Sequence, residues 1–410
     1  MRLNSPTPVF SSLHGTRGQV LVLFVLMLVA LLLCVGLAID LGFAYISKAS
    51  LSKAVDAAAI TGAKNMSSGQ AEAERLARAT FAANYTGKGR DAHSPTLNIG
   101  FTQDASNNTR IDVSASTVIN TFFIGILPEF KTLSVGATAE AIRVKLLMTL
   151  VLDRSGSMGS NGGAVALPPA VSDFIDQFDD SQDRVGLSSF GSNATADLAP
   201  QKNFKTLVNN RVNNWPALVG GRTFSDGGLT IADTMIRNTA LAAGENVFKV
   251  VVFFTDGYAN TFQDTFSCTP GKLNLGQSAD PSDGPQPWPF SFTDPITGNS
   301  ITPPCSSTDF QSIDGTTKSI SKNNRNIWLE GQLRALATAK KIRGENITVY
   351  SIGLGDDINQ DFLMNVANDP RGSQFDSTQP PGQAVFAPQA DDLKQAFQQI
   401  SQNILLRLTQ

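Results

Sequence analysis

From Val20 to Ile39 the chain reads VLVLFVLMLVALLLCVGLAI, twenty positions without a charge. Coiled as an α-helix, such a run covers roughly 30 Å, the hydrocarbon thickness of a bilayer. A secretory signal peptide has a shorter apolar region and ends at a small-residue cleavage site. No A-x-A site follows here, and Cys34 follows Leu33 rather than a small residue, so lipoprotein-type cleavage is not expected either. The pattern predicts an uncleaved anchor in contact with lipid over residues 20–39. Arg2 and Arg17 precede it, whereas Lys48 and Lys53 lie farther off on the other side, with Asp40 immediately adjacent. The positive-inside rule then places a short tail, residues 1–17, in the cytoplasm and the rest of the chain outside it.

Beyond the anchor the helical spacing continues through AYISKASLSKAVDAAAITGAKNM, with Lys48, Lys53 and Asp56 on the polar face. Ser67-Ser68-Gly69 interrupts it, and AEAERLARATFAANY resumes an amphipathic helix up to Gly87. From Pro95 to Arg143 the period changes to two. TLNIGF, RIDVSAST and LSVGATAEAI read as strands, separated by the turn DASNN and the apolar stretch FFIGILPEF. Residues 66–143 are therefore expected to form a small α+β unit next to the membrane.

After Lys145 strands and helices alternate. KLLMTLVLD is an almost uninterrupted apolar strand, as a central strand covered on both faces should be. VSDFIDQF (helix), DRVGLSSF (strand), LTIADTMIRNTALAA (helix) and FKVVVFFTD (strand) follow. The chain ends with WLEGQLRALATAKKIRG (helix), ITVYSIGLG (strand), DFLMNVAN (helix), AVFAP (short strand) and DLKQAFQQISQNILLRL (helix). This order predicts an α/β fold, a doubly wound sheet flanked by helices over residues 144–410, with its ligand site at the carboxyl ends of the strands.

Composition narrows the function. A formal net charge of −3 argues against a nucleic-acid partner. Two histidines in 410 residues, His14 and His93, both read as solvated loop positions and leave no His-based metal site or catalytic triad. Three cysteines without a CxxC pair exclude a zinc knot. No GxxxxGK[ST], GxSxG or HExxH motif appears.

Arg17-Gly18-Gln19, the apolar run, Asp40 and then Ala54-Val55-Asp56-Ala57-Ala58-Ala59-Ile60-Thr61-Gly62-Ala63 resemble the N-terminus of TadG-like proteins. These belong to the TadE/TadG group of the tight-adherence (Flp) pilus-assembly system. The resemblance covers roughly residues 15–65, and the following β-rich unit loosely, and implies an outward-facing soluble region. It also implies partners among pilus-assembly proteins and a place in the bacterial inner membrane, with the C-terminal region periplasmic. Pilin-like members carry a glutamate five residues after the processing glycine; here that position is Leu23, which agrees with an uncleaved anchor.

The first strand of the α/β region ends in Asp153-Arg154-Ser155-Gly156-Ser157, a D-x-S-x-S element. A second loop holds Gly220-Gly221-Arg222-Thr223, and a later strand ends in Thr255-Asp256-Gly257. Two carboxylates and three hydroxyls form an all-oxygen set that suits a hard cation and offers nothing to a soft one. These elements resemble the metal-ion-dependent adhesion site of von Willebrand factor A (vWA) domains. On that resemblance Ser155, Ser157 and Thr223 coordinate Mg²⁺ (or Mn²⁺ or Ca²⁺), and Asp153 and Asp256 bind it directly or through water. An acidic side chain of a protein partner would complete the coordination. Arg154 and Arg222 are expected to be solvated or partner-facing.

The resulting expectation is a membrane-anchored, cation-dependent protein-binding module with no catalytic residues. Two other readings stay open: a structural envelope subunit with a vestigial ion site, and a metal-assisted hydrolase. The hydrolase needs a general base near the ion. Asp226 is the nearest carboxylate in sequence, and it reads as the start of the next helix. Residues 259–325, rich in Pro, Gly, Ser and Thr, fall outside the alternation and read as an irregular insertion at the metal face. Cys268 and Cys305 both lie in it, and an even pair in one segment outside the cytoplasm predicts a disulfide.

Overall fold

The computed structural model describes residues 17–86, 94–265, 272–276, 292–293, 300–301, 309–319, 325–356 and 358–409. Cys268 and Cys305 lie outside the described residues, as do His14 and His93. The chain forms two compact units. One contains the N-terminal helix through Thr61 with Glu74–Gly100 and Asp112–Glu140; the other contains Ala141–Gln410 with Gly62–Ala73 and Phe101–Ile111. Residues 66–143, expected to form a small α+β unit, include segments of both.

In the first unit, α1 (Arg17–Lys64) is a single helix of 48 residues. It is the one helix among the described residues long and apolar enough to cross a membrane, with a mean hydropathy of 3.3 over its most apolar window. Val20 to Leu33 are exposed around the helix, as a segment solvated by lipid requires. One stripe alone is covered: Gly36, Asp40, Ala44, Ser47 and Leu51 recur at spacings of three and four and are all buried. A 3₁₀ turn at Met66–Ser68, ended by Gly69 at φ +92°, separates α1 from α2 (Gln70–Asn84). Strands β1 (Thr96–Gln103), β2 (Thr109–Asn120) and β3 (Thr132–Arg143) form a three-stranded meander.

The larger unit begins with β4 (Lys145–Asp153), a short α3 (Ser157–Ser160), α4 (Gly163–Ile175), β5 (Arg184–Phe190), β6 (Ala194–Gln201), α5 (Lys205–Val212) and α6 (Ser225–Asn238). Then come β7 (Val247–Thr255), β8 (Thr261–Thr265), β9 (Lys272–Gly276), β10 (Phe292–Thr293), β11 (Ser300–Ile301), β12 (Asp309–Gln311) and β13 (Thr317–Ser319). The chain closes with α7 (Arg325–Gly344), β14 (Thr348–Leu354), α8 (Gln360–Ala367), β15 (Ala384–Ala387) and α9 (Leu393–Leu408).

Six strands make the central sheet in the order β15-β14-β7-β4-β5-β6, parallel except for β6, which runs antiparallel along β5. Alternation along β4 explains its uninterrupted apolar run. Leu146, Met148, Leu150 and Leu152 enter one core with Phe174 and Phe397, while Leu147 and Val151 enter the other with Leu229, Ala335 and Ala339. Phe174 and Phe397 meet edge to face at 5.4 Å, tying α4 to α9. The chain leaves β4 for β5 on one side and returns to β7 on the other, so the strand order reverses at β4. That reversal opens a crevice beyond the carboxyl ends of β4 and β7.

Four features depart from expectation. Helix α4 begins at Gly163 and runs through Pro168 and Pro169, because burial of Ala164, Leu167, Pro168 and Val171 overrides the poor helix propensity of proline. Edge strand β6 carries Pro200, which an edge tolerates, and α5 is short and weakly amphipathic. The insertion at 259–325, expected to be irregular, contains the antiparallel pairs β8–β9 and β12–β13. Phe262 of β8 and Phe310 of β12, whose rings lie 4.7 Å apart, join the two pairs, and Arg334 of α7 lies 4.8 Å above Phe262 and is ion-paired to Asp264 at 2.7 Å. Isolated aromatics on very short strands carry no readable period.

Candidate metal site

Asp153 is the last residue of β4 and Asp256 the first after β7. The two strands pair in parallel with Leu152 opposite Phe254, so their ends bring both carboxylates into the crevice. The D-x-S-x-S loop then folds back on itself. Ser155 N–H donates to Asp153 Oδ1 at 2.7 Å, Ser155 Oγ and Ser157 Oγ are 3.1 Å apart, and Ser157 Oγ donates to Asp256 Oδ1 at 2.8 Å. Four of the five expected residues are thereby joined in one chain of hydrogen bonds.

Thr223, the fifth, is not in this chain of bonds; the glycines before it are what meet the D-x-S-x-S loop. Gly220 N–H donates to Arg154 O at 2.9 Å and Gly156 N–H to Gly221 O at 3.1 Å, laying the glycine pair along the D-x-S-x-S loop. Gly221 adopts φ +79°, which a side chain would resist. Thr223 itself is buried and bonded on both backbone groups to Asn260, N–H to Oδ1 at 2.8 Å and C=O from N–H at 3.2 Å. The insertion therefore starts by bracing the second loop. Its strand β9 adds Asn274, whose Nδ2 donates to Ser192 O at 2.9 Å beside that loop.

Two contributors lie outside the expected set of five. Asn161 Nδ2 donates to Asp256 Oδ2 at 2.7 Å, and Thr255 Oγ1 donates to Asp153 Oδ2 at 2.5 Å. Thr255 stands next to a quoted aspartate, which is a usable signal; Asn161 sits in a glycine-rich turn that reads only as a turn. Arg154 corrects the expectation of a solvated side chain. It is 2% exposed, with Nε donating to Ser189 Oγ at 3.2 Å and its charge acting on Asp197 of β6. A buried guanidinium between β5 and the 218–220 loop stiffens the crevice from behind. Arg222 is half-buried rather than free in solvent. Asp226 opens α6 as expected and accepts from Thr338 Oγ1 at 2.6 Å.

The electrostatics test whether these residues suit a cation. Burial, reinforced by repulsion from Asp256, pushes Asp153 up to about 7 against the hydrogen bonds of Thr255 and Ser155. Burial also raises Asp256, opposed by Ser157 and Asn161. Two carboxylates drawn together in a dry crevice are mutually destabilised as anions. The groups around the two carboxylates are mostly hydroxyls, those of Ser155, Ser157 and Thr255, and among the described residues no group of three or more His, Cys, Asp or Glu converges. The residues fit a divalent hard cation.

Residues 148–269 match the family model of the von Willebrand factor type A domain, and residues 18–65 match that of Flp pilus-assembly TadE/G-like proteins. The chain thus carries a TadE/G-like segment, which lies within its membrane-type helix, ahead of a vWA domain. No curated protein matches the sequence. Similar solved structures include proximal thread matrix protein 1 of the mussel byssus with a zinc-occupied MIDAS motif, 14% identical, covering 65% of this chain and 46% of that one, TM-score 0.38. The PilB minor pilin of Streptococcus sanguinis is 14% identical over 77% of this chain and 79% of its own, TM-score 0.39. The vWF domain of the type V pili tip protein Mfa5 of Porphyromonas gingivalis is 15% identical over 65% of this chain and 97% of its own, TM-score 0.39. The chain spans about half the length of the mussel byssus proteins it matches, 46–48%.

Proposed function

We propose that this protein is a membrane-anchored, divalent-cation-dependent binding module acting in tight-adherence (Flp) pilus assembly or surface attachment. The observation that carries the reading is the Asp153–Asp256 pair, two buried carboxylates brought together by adjacent strand ends and linked through Ser155 and Ser157. Asp153, Ser155, Ser157, Thr223 and Asp256 would hold Mg²⁺, or Mn²⁺ or Ca²⁺ in its place. When bound, the ion would offer a coordination position to an acidic side chain of a protein partner, a charge-assisted contact at a shallow surface. The chain's own residues supply the rest. Asn161 and Thr255 orient the two carboxylates, the glycine pair lets Thr223 approach, and the braced insertion widens the surface around the ion.

The TadE/G-like segment supports partners among other pilus-assembly proteins. Arg17 ahead of the apolar run supports an inner-membrane protein of single span, with the vWA domain periplasmic. Calorimetric titration of Mg²⁺ into the full chain in nanodiscs tests the site. The parent should take up one ion and the Asp256→Ala variant none. Uptake that survives in the variant would sink the assignment.

A further inference from the structure

Between β2 and β3 the chain runs through Thr121–Lys131 as TFFIGILPEFK, folded into two successive 3₁₀ turns. Its apolar side chains avoid any core: Ile126 is 76% exposed, Phe122 63%, Leu127 53% and Phe130 53%. Such a cluster, gathered in one loop, marks an interaction surface. The loop is also rigidly closed, since Thr121 Oγ1 donates to Phe130 O at 2.5 Å and Thr121 N–H to Lys131 O at 3.1 Å.

What holds this loop is the apolar helix. The carboxylate of Asp40 accepts the backbone N–H groups of Phe122 (2.9 Å), Phe123 (2.9 Å) and Ile124 (2.8 Å). One turn earlier, Gly36 lies so close beneath Phe123 that a Cβ there would come within 2.5 Å of the Phe123 Cβ. One turn later, the rings of Phe43 and Phe122 are 6.4 Å apart. Gly36 belongs to the uncharged run, which ends at Ile39. The loop is therefore pinned at the level where α1 leaves the apolar layer, with Phe123 already inside that level.

We propose that Phe122, Ile126, Leu127 and Phe130 form a lipid-contacting wedge that enters the headgroup–acyl boundary beside α1. This rests on the reading of α1 as a membrane anchor. Leu32, Leu33, Val35, Leu37 and Ile39 of α1 are also exposed, so patch and span form one continuous apolar surface suited to one solvent. Aromatic residues are favoured at this boundary. Glu129 and Lys131 limit the depth, because their charges must stay at headgroup level. Asp40 can follow the apolar run directly because three N–H groups of the loop satisfy it. A second copy of the chain is the competing occupant.

Tryptophans added one at a time to the full chain, in nanodiscs with brominated acyl chains, test the wedge. The emission added by Ile126→Trp should be quenched, as should that of Leu28→Trp in the span. Emission added by Ile60→Trp, about 30 Å of helix beyond Ile39, should not. Quenching at Leu28→Trp without quenching at Ile126→Trp would overturn the wedge while leaving the anchor intact. Absence of quenching at both would overturn the anchor and the wedge together. A blue shift at Ile126→Trp that grows with protein density, without quenching, would assign the patch to a second copy instead. Adding Asp40→Ala should reduce quenching at Ile126→Trp and spare it at Leu28→Trp; unchanged quenching would refute the clamp.

Discussion

Replacing Asp153 by Asn changes one oxygen to nitrogen and should reverse the order of stability according to whether a cation is present. In the folded protein Asp153 keeps its proton up to about 7, whereas in the unfolded chain it ionises near the ordinary carboxylate value of about 3.9. Between those two values the unfolded state binds fewer protons, so the metal-free parent loses stability as pH rises from about 4 to about 7. Each tenfold step is worth about 1.4 kcal/mol, which sets an upper bound of about 4 kcal/mol on the loss. The substituted amide cannot ionise and escapes it. The amide oxygen can still accept from Ser155 N–H, and Thr255 Oγ1 can turn its proton to Gly257 O, already 3.3 Å away.

In chelator at pH 8, Asp153→Asn should therefore be more stable than the parent by about 1–3 kcal/mol, after about 1 kcal/mol for the weakened hydrogen bond. At pH 5 the two should be nearly equal. Saturating Mg²⁺ should restore the parent, by about 2.7 kcal/mol at a hundred times its dissociation constant, and leave the variant unmoved. All three tryptophans, Trp215, Trp288 and Trp328, lie after residue 144, so urea unfolding followed by intrinsic fluorescence reports this domain selectively. A variant less stable than the parent in chelator at pH 8, with no Mg²⁺ effect on the parent, would refute the reasoning.

Three further outcomes are expected. Asp183 pairs with Arg143 at 2.6 Å and also accepts from Leu146 N–H at 2.9 Å, so Asp183→Ala should cost about 3–5 kcal/mol in urea; a loss below about 1 kcal/mol would contradict the burial argument. Protease added to spheroplasts should digest the region after residue 40, and protection of that region beside a digested periplasmic control would reverse the orientation. Non-reducing mass spectrometry of the exported protein should recover a Cys268–Cys305 cross-linked peptide, closing a loop worth up to about 4 kcal/mol in chain entropy; two free thiols would exclude it.

The parts of the fold legible in the sequence are those buried on both faces or on none. KLLMTLVLD, FKVVVFFTD and ITVYSIGLG announce β4, β7 and β14 because nearly every position is buried, and the run to Ile39 announces α1 because none of its early positions is. Half-buried elements are harder to read. In β6, Asp197 and Pro200 blur the alternation, and its exposure swings between partial and full. The insertion hairpins show only single buried aromatics, Phe262 and Phe310. At the site, residue type carries the signal where chemistry demands oxygen: D-x-S-x-S, Thr223 and Asp256. It carries none for Asn161, whose amide serves through a position that only the folded turn creates. Nor can it reveal Arg154, because an arginine in a loop looks solvated until β5 closes over it.

The chain places an aspartate directly after an apolar run twice, Asp40 after Ile39 and Asp153 after Leu152, and the surroundings give the two opposite roles. Asp40 accepts three backbone N–H groups. These donors are fixed in direction and belong to neutral peptide units, so they satisfy the carboxylate permanently and turn it into a structural clamp. Asp153 accepts one N–H and one hydroxyl, and Asp256 accepts from a hydroxyl and an amide, while each raises the cost of ionising the other. A hydroxyl differs from an N–H in one decisive respect: it can rotate its proton away and present a lone pair. The bonds among Ser155, Ser157 and Asp256 can therefore be rearranged, so that donors to the carboxylates become acceptors toward a cation. A clamp made of N–H groups has no such freedom. On the proposed reading, the abundance of Ser and Thr around Asp153 and Asp256, set against the backbone amides around Asp40, would separate a site able to exchange a ligand from a joint built to stay closed.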